Sequence, residues 1–158
     1  MILVADASPI ISFARAERLG LLHQVAGTLW IPDAVFQEIV VEGRPGATEV
    51  RQGQWLRRQA VMQTAHVGAL PRKLGRGERE AIILAEELHG VLLVDDPAAR
   101  QEAARRHVPV LGSLSILRTA KRQGLIPDVT SHLNALRATG FRISDELSTR
   151  FLRDMGEV

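Results

Sequence analysis

Apolar residues in this chain fall into short continuous runs separated by longer stretches of mixed polarity. Ile2–Ala5, Thr28–Ile31, Val91–Val94 and Val108–Leu111 are the clearest runs. Nearly continuous apolar character over about four residues predicts strands buried on both faces. Val61–Thr64 is a weaker candidate for a fifth strand. Helical patterns lie between them. Ser8-Pro9 and Asp96-Pro97 offer a cap followed by proline at the first helical position. Pro32-Asp33 opens the segment 34–41, 47–58 is amphipathic, and 78–89 ends at Gly90, which suits a C′ position. Further helices are predicted over 97–106, 113–123, 127–138 and 144–155. Strands alternating with helices predict an α/β fold in which a parallel sheet of four to five strands is flanked by helices on both faces. Glycine, proline and charge gather between residues 41 and 76, predicting an excursion within a single domain spanning 1–158.

Composition narrows this picture. A chain of 158 residues suffices for one domain with a full core. The absence of cysteine removes disulfides and thiolate chemistry and fits a cytoplasmic protein. The opening MILVADASP lacks a basic leader with a long apolar stretch and reads as a first strand. No run approaches the ~18 apolar residues of a membrane span. Twenty Lys/Arg against eighteen Asp/Glu give a formal charge of +2, which permits a nucleic-acid partner without demanding one. Four Phe, two Trp and no Tyr leave few stacking platforms, so recognition of any nucleic acid would lean on Arg/Lys contacts to phosphate. Trp30 and Trp55 are expected in the core or an interface, and the five His show no zinc-ligand spacing.

The acidic residues change the picture more than composition does. Asp6 follows the first strand run, and Asp95 and Asp96 follow the run 91–94. In a parallel α/β sheet, ligands bind outside the carboxyl ends of the strands. Glu38, Glu78 and Glu80 lie near predicted helix starts that would open at the same edge. Several carboxylates brought together repel and raise one another's pKa, a cost that a hard cation such as Mg²⁺ or Mn²⁺ removes. Glu78 and Glu80 are two apart on a helix and cannot face the same way. Glu80 directly precedes the apolar run AIILA and is the better inward candidate. A capping role suits Asp96 and leaves Asp95 freer for metal. Ser8 suits either a helix cap or a group that orients water or phosphate.

At these residues the chain resembles the PIN-domain proteins, in particular the prokaryotic branch carrying GE.EAI and DD...R signatures and related to VapC-type toxins. The resemblance runs in order through VADASPIISF, IPDAVFQEIV and the long segment LGRGEREAIILAEELHGVLLVDDPAAR and onward to the C-terminal helices. It implies a Rossmann-like PIN fold and a Mg²⁺- or Mn²⁺-dependent endoribonuclease that hydrolyses RNA phosphodiester bonds. The implied acidic positions are Asp6, Glu38, Glu80 and Asp95 or Asp96, with Glu78 ranked lower. Ser8, Arg100 and Ser113 match substrate-binding positions. The third acid is Glu where many relatives carry Asp, and Val94-Asp95-Asp96 replaces a threonine-x-aspartate. An antitoxin protein is the further partner the resemblance implies. The rival reading is a catalytically inactive PIN scaffold that binds RNA or protein. Apolar positions in 133–136 and 151–152 are left open between the core and a homodimer.

Overall fold

The computed structural model describes residues 1–41 and 43–158. Five short strands form one parallel sheet: β1 (Leu3–Ala5), β2 (Leu29–Ile31), β3 (Leu56–Arg58), β4 (Val91–Leu93) and β5 (Val110–Leu111). Their order is β3-β2-β1-β4-β5. Leu3 pairs with Leu29 on one side and Val91 on the other, so β1 is central. Strand order reverses between β1 and β4, and the carboxyl ends there form the crevice where α/β sheets bind ligands. Leu3, Val4, Ala5, Leu92, Leu93 and Val94 are all buried, as the continuous apolar runs predict.

The helices are α1 (Ala7–Arg15), α2 (Leu19–Ala26), α3 (Asp33–Ile39), α4 (Ala47–Gln52), α5 (Thr64–Ala69), α6 (Arg76–Glu87), α7 (Pro97–Arg105), α8 (Ser113–Arg122), α9 (Thr130–Ala138) and α10 (Asp145–Asp154). Helix α6 carries Ala81–Ala85 into the core and packs on β1, β4 and, most extensively, α3. Its end explains Gly90. His89 takes the left-handed conformation at φ 51°, and the Gly90 N–H donates to the Ala85 carbonyl at 2.9 Å. A Cβ on Gly90 would stand 2.7 Å from the Ile2 carbonyl oxygen, so glycine is required by the close approach of β1.

Several predicted elements are placed differently. The pattern over 47–58 is not one helix: α4 stops at Gln52 and the chain re-enters the sheet as β3. Gly53 is extended, and a Cβ there would sit 2.4 Å from the Glu49 carbonyl oxygen. The fifth strand is therefore Leu56–Arg58, paired with β2, and the segment 61–64 is not a strand. Arg57 and Arg58 accordingly lie on an edge strand, with Arg57 over the Trp30 ring and Arg58 over Phe36. Trp55 stacks on His23 at 4.5 Å. Helix α2 and helix α5, the latter within the 41–76 excursion, had no sequence expectation. Leu133, Leu136 and Phe151 are buried within this chain and belong to its core. Among the described residues, no helix is long and apolar enough to cross a membrane.

Candidate active site

Asp6 sits where β1 becomes α1. Its backbone N–H donates to the Leu93 carbonyl at 3.0 Å, which fixes it beside the end of β4. It occupies the N-cap position of α1, with Ser8 inside the first turn. Ser8 is thus not the cap. The helix starts directly after the strand, and Pro9 is tolerated because the first four helical N–H groups have no partner within the helix. Ser8 is exposed and lines the cavity beside Asp6.

Asp6 is almost fully buried, 3% exposed, and carries no basic partner among the described ion pairs. Burial pushes its pKa up to about 6, and the charges of Glu38 and Asp95 push the same way. The Ala7 and Ser8 amides oppose this by favouring the ionised form.

Glu38 projects from the last turn of α3 toward the first turn of α6. A Cβ built on Gly77 would lie 3.1 Å from Glu38 Oε2 and 3.6 Å from Asp6 Oδ1. The missing side chain at Gly77 is therefore what lets these two carboxylates meet against α6.

Glu78 occupies the N3 position of α6, and its Oε1 accepts the Gly75 N–H at 3.0 Å. The Asp96 carboxylate is its acidic neighbour and disfavours its ionised form. Burial and the neighbouring Asp96 and Asp6 carboxylates push the Glu78 pKa up to about 7, against the Gly75 amide.

Glu80 was the expected inward ligand. It is buried, but its carboxylate faces α3. Oε1 accepts the Ala34 N–H at 3.0 Å and Oε2 accepts from Arg76 Nε at 3.0 Å. It satisfies one of the orphan amides at the start of α3 and thereby fixes the helix that carries Glu38. The acidic cavity is lined by Glu78, not Glu80. Placement two residues apart separates them as helix geometry requires, but the face reaching the other acids is that of Glu78.

The pair after β4 also differs from expectation. Asp96 caps α7, its Oδ2 accepting the Ala99 N–H at 3.1 Å. Asp95 is no freer: Oδ1 accepts the Ser113 N–H at 2.8 Å, and Oδ2 accepts the Ser113 hydroxyl at 2.6 Å. Asp95 thus pins the start of α8 to the end of β4, and Ser113, fully buried, serves that join. Arg100 Nη1 donates to the Val94 carbonyl at 3.0 Å and stands close to Gly112.

Asp6, Glu38, Glu78, Asp95 and Asp96, from four segments of the chain, therefore border one crevice at the β1/β4 switch point. They line two adjoining openings of about 480 and 580 Å³. Among the described residues, no three of them stand as a closed metal-ligating cluster. Arg15 and Arg44 stand at the rim and escaped the sequence reading; no local motif marks them, because only the fold brings them to the acids.

The family model DUF3368, described as a PIN domain, matches residues 2–157. The chain belongs to the PIN-domain family. A PilT N-terminus domain protein from the hyperthermophilic archaeon Sulfolobus solfataricus P2 is similar in structure, with a TM-score of 0.56 and 18% identity over 76% of this chain and 93% of that one. That likeness carries the fold. No curated protein matches the chain in sequence. A PIN domain here accounts for the parallel sheet and for acids gathered at its carboxyl edge.

Proposed function

We propose that this PIN domain is a ribonuclease that hydrolyses RNA phosphodiester bonds with Mg²⁺ or Mn²⁺. The observation that carries the reading is the convergence of Asp6, Glu38, Glu78 and Asp96, none of which forms an ion pair among the described residues. Asp6 is buried without a basic partner, and burial together with the Asp96 and Asp6 carboxylates raises the pKa of Glu78. An all-oxygen donor set of this kind fits a hard divalent cation, which would offset the repulsion among the carboxylates. Asp6, Glu38, Glu78 and Asp96 are the residues that would hold it. Asp95 would act by fixing the α8 start, since both its oxygens are engaged by Ser113. When bound, the cation supplies an acidified water and charge neutralisation at the phosphate.

The remaining work falls to the chain itself. Asp6 and Glu38 hold their carboxylates beside Gly77, where no side chain intrudes. Ser8, exposed at the edge of the crevice, orients water or a phosphate oxygen. Arg100, Arg15 and Arg44 offer positive charge along the approach and would position the backbone of RNA. Pure protein incubated with structured RNA and Mn²⁺ is expected to cleave, and Asp6→Asn is expected to cut at least a hundredfold more slowly. Equal cleavage by both proteins overturns the assignment.

A role as the toxin of a toxin–antitoxin pair is a narrower form of the same proposal. Its support is the resemblance to the VapC-related branch. Induced expression should arrest growth, Asp6→Asn should not, and a small neighbouring reading frame should encode the neutralising protein. The non-catalytic scaffold reading draws on the Asp95 oxygens engaged by Ser113 and the Asp96 oxygen engaged in capping α7. Calorimetry separates the two: the nuclease takes up Mn²⁺ with an affinity that Asp6→Asn removes, and the scaffold shows none.

A further inference from the structure

Beside the acids lies a concavity of about 530 Å³ with a different character. It shares Asp95, Pro97, Phe141 and Arg142 with the larger opening at the acids, so it opens directly onto it. Its opposite wall is apolar and comes from a strap between α9 and α10 that carries Phe141 and Ile143, continued by Leu147 in the first turn of α10.

The strap is held in place. Gly140 reverses the chain at φ 114°, the Phe141 N–H donates to the Leu136 carbonyl at 3.0 Å, and Ser144 caps α10 through the Leu147 N–H at 3.1 Å. This leaves Leu147 40% exposed and Phe141 half-buried, facing the cavity. Large apolar side chains on a fixed, concave wall mark a binding surface more often than a solvated one.

Charge decides what fits. Arg142, on the same strap, borders both this cavity and the opening lined by Ser8, Glu38 and Asp96. Among the described residues, neither Arg142 nor Arg100 forms an ion pair. Two guanidinium groups without carboxylate partners beside an apolar slot suit a ligand that is flat and apolar-faced at one end and anionic at the other. A nucleotide has that character, and the volume lies within the range of about 300–1,000 Å³ typical of small-molecule sites. Bases splayed out of single-stranded RNA are recognised by stacking on such side chains.

We propose that this cavity receives one unstacked nucleobase of the RNA, adjacent to the phosphate held at the acids, with Phe141 as its stacking face and Leu147 and Ile143 enclosing it. Arg142 and Arg100 hold the flanking phosphates. The proposal rests on RNA being the substrate and makes single-stranded segments the target. It assigns Phe141 and Leu147 to substrate selection.

The test reads binding rather than cleavage. A labelled single-stranded hexaribonucleotide, and versions abasic at each position in turn, are titrated with the full chain in EDTA by fluorescence anisotropy. Loss of one particular base should weaken wild-type binding about tenfold. Phe141→Ala should weaken binding of the intact oligonucleotide by a similar factor and leave that abasic version unchanged, while Phe141→Trp restores affinity. Leu147→Ala, at a more exposed position, provides a second variant, and circular dichroism checks that each folds.

Intact RNA binding equally well to wild type, Phe141→Ala and Leu147→Ala overturns the proposal. So does a loss that is the same for intact and abasic RNA, or a result in which these substitutions release a bound protein and leave RNA binding untouched. A base-specific loss without metal-dependent cleavage would support the subsite and overturn only the hydrolytic reading.

Discussion

Glu80 Oε1 accepts the backbone N–H of Ala34 across the α3–α6 interface at 3.0 Å. A buried glutamate on one helix therefore serves as the missing cap of another, whose own Pro32 cannot offer a side-chain oxygen. The link joins the helix that bears Gly77 and Glu78 to the helix that bears Glu38, and so sets how closely Glu38 approaches Gly77 and Asp6.

Removing that link has a stability signature distinct from losing a metal ligand. Glu80→Ala leaves the Ala34 N–H without its partner and opens space in a packed interface, so urea denaturation should show a loss of about 2–3 kcal/mol. Glu80→Gln can still accept from Ala34 and should lose less than half as much. Mn²⁺ affinity should fall no more than a few-fold in Glu80→Gln. A variant of normal stability with metal affinity abolished would instead make Glu80 a ligand.

Glu78 should behave in the opposite way. Gln at this position can still accept the Gly75 N–H, so the start of α6 survives and stability should stay within about 1 kcal/mol of wild type. The charge facing Asp6 and Asp96 is gone, however. Calorimetry should show Mn²⁺ affinity reduced at least tenfold and RNA cleavage reduced with it. Unaltered metal affinity in Glu78→Gln would remove Glu78 from the site.

The contrast between these glutamates shows where the sequence was readable. The runs around Leu3, Leu29 and Leu92 are largely buried, the edge run at Val110 only partly, and their short continuous apolar character announces a parallel sheet. Asp6 and Asp95 were placed at one edge because strand ends leave little freedom. Helix geometry correctly separated Glu78 from Glu80 but could not say which face met which neighbour, because that depends on α3 arriving above α6. The Asp95–Ser113 join was equally hidden: the partners are eighteen positions apart in the chain. At Leu56, a helical pattern ran on through Gly53, and only pairing with β2 shows that the backbone had changed state. Long-range partners override local pattern in each case.

Stability should depend on pH through Asp6 in a direction opposite to that of a salt-bridged aspartate. The folded chain holds this proton up to about pH 6, whereas the unfolded chain releases it near 3.8. Below 3.8 both states are protonated and Asp6 contributes no difference. As pH rises from about 4 to 6 the folded state binds more protons than the unfolded one, so stability falls, by on the order of 3 kcal/mol once Asp6 ionises in both states. Glu78, raised from 4.5 to about 7, adds a contribution of the same sign that solvent screening makes smaller. Metal-free protein should therefore melt at a higher temperature at pH 5 than at pH 7.5. Asp6→Asn should flatten that slope and exceed wild type in stability at pH 7.5 in EDTA. Adding Mn²⁺ should raise the wild-type melting temperature more at pH 7.5 than at pH 5, because the cation favours the ionised acids. If Asp6→Asn is no more stable than wild type at pH 7.5 without metal, the Asp6 carboxylate is not the strained group that this crevice makes it.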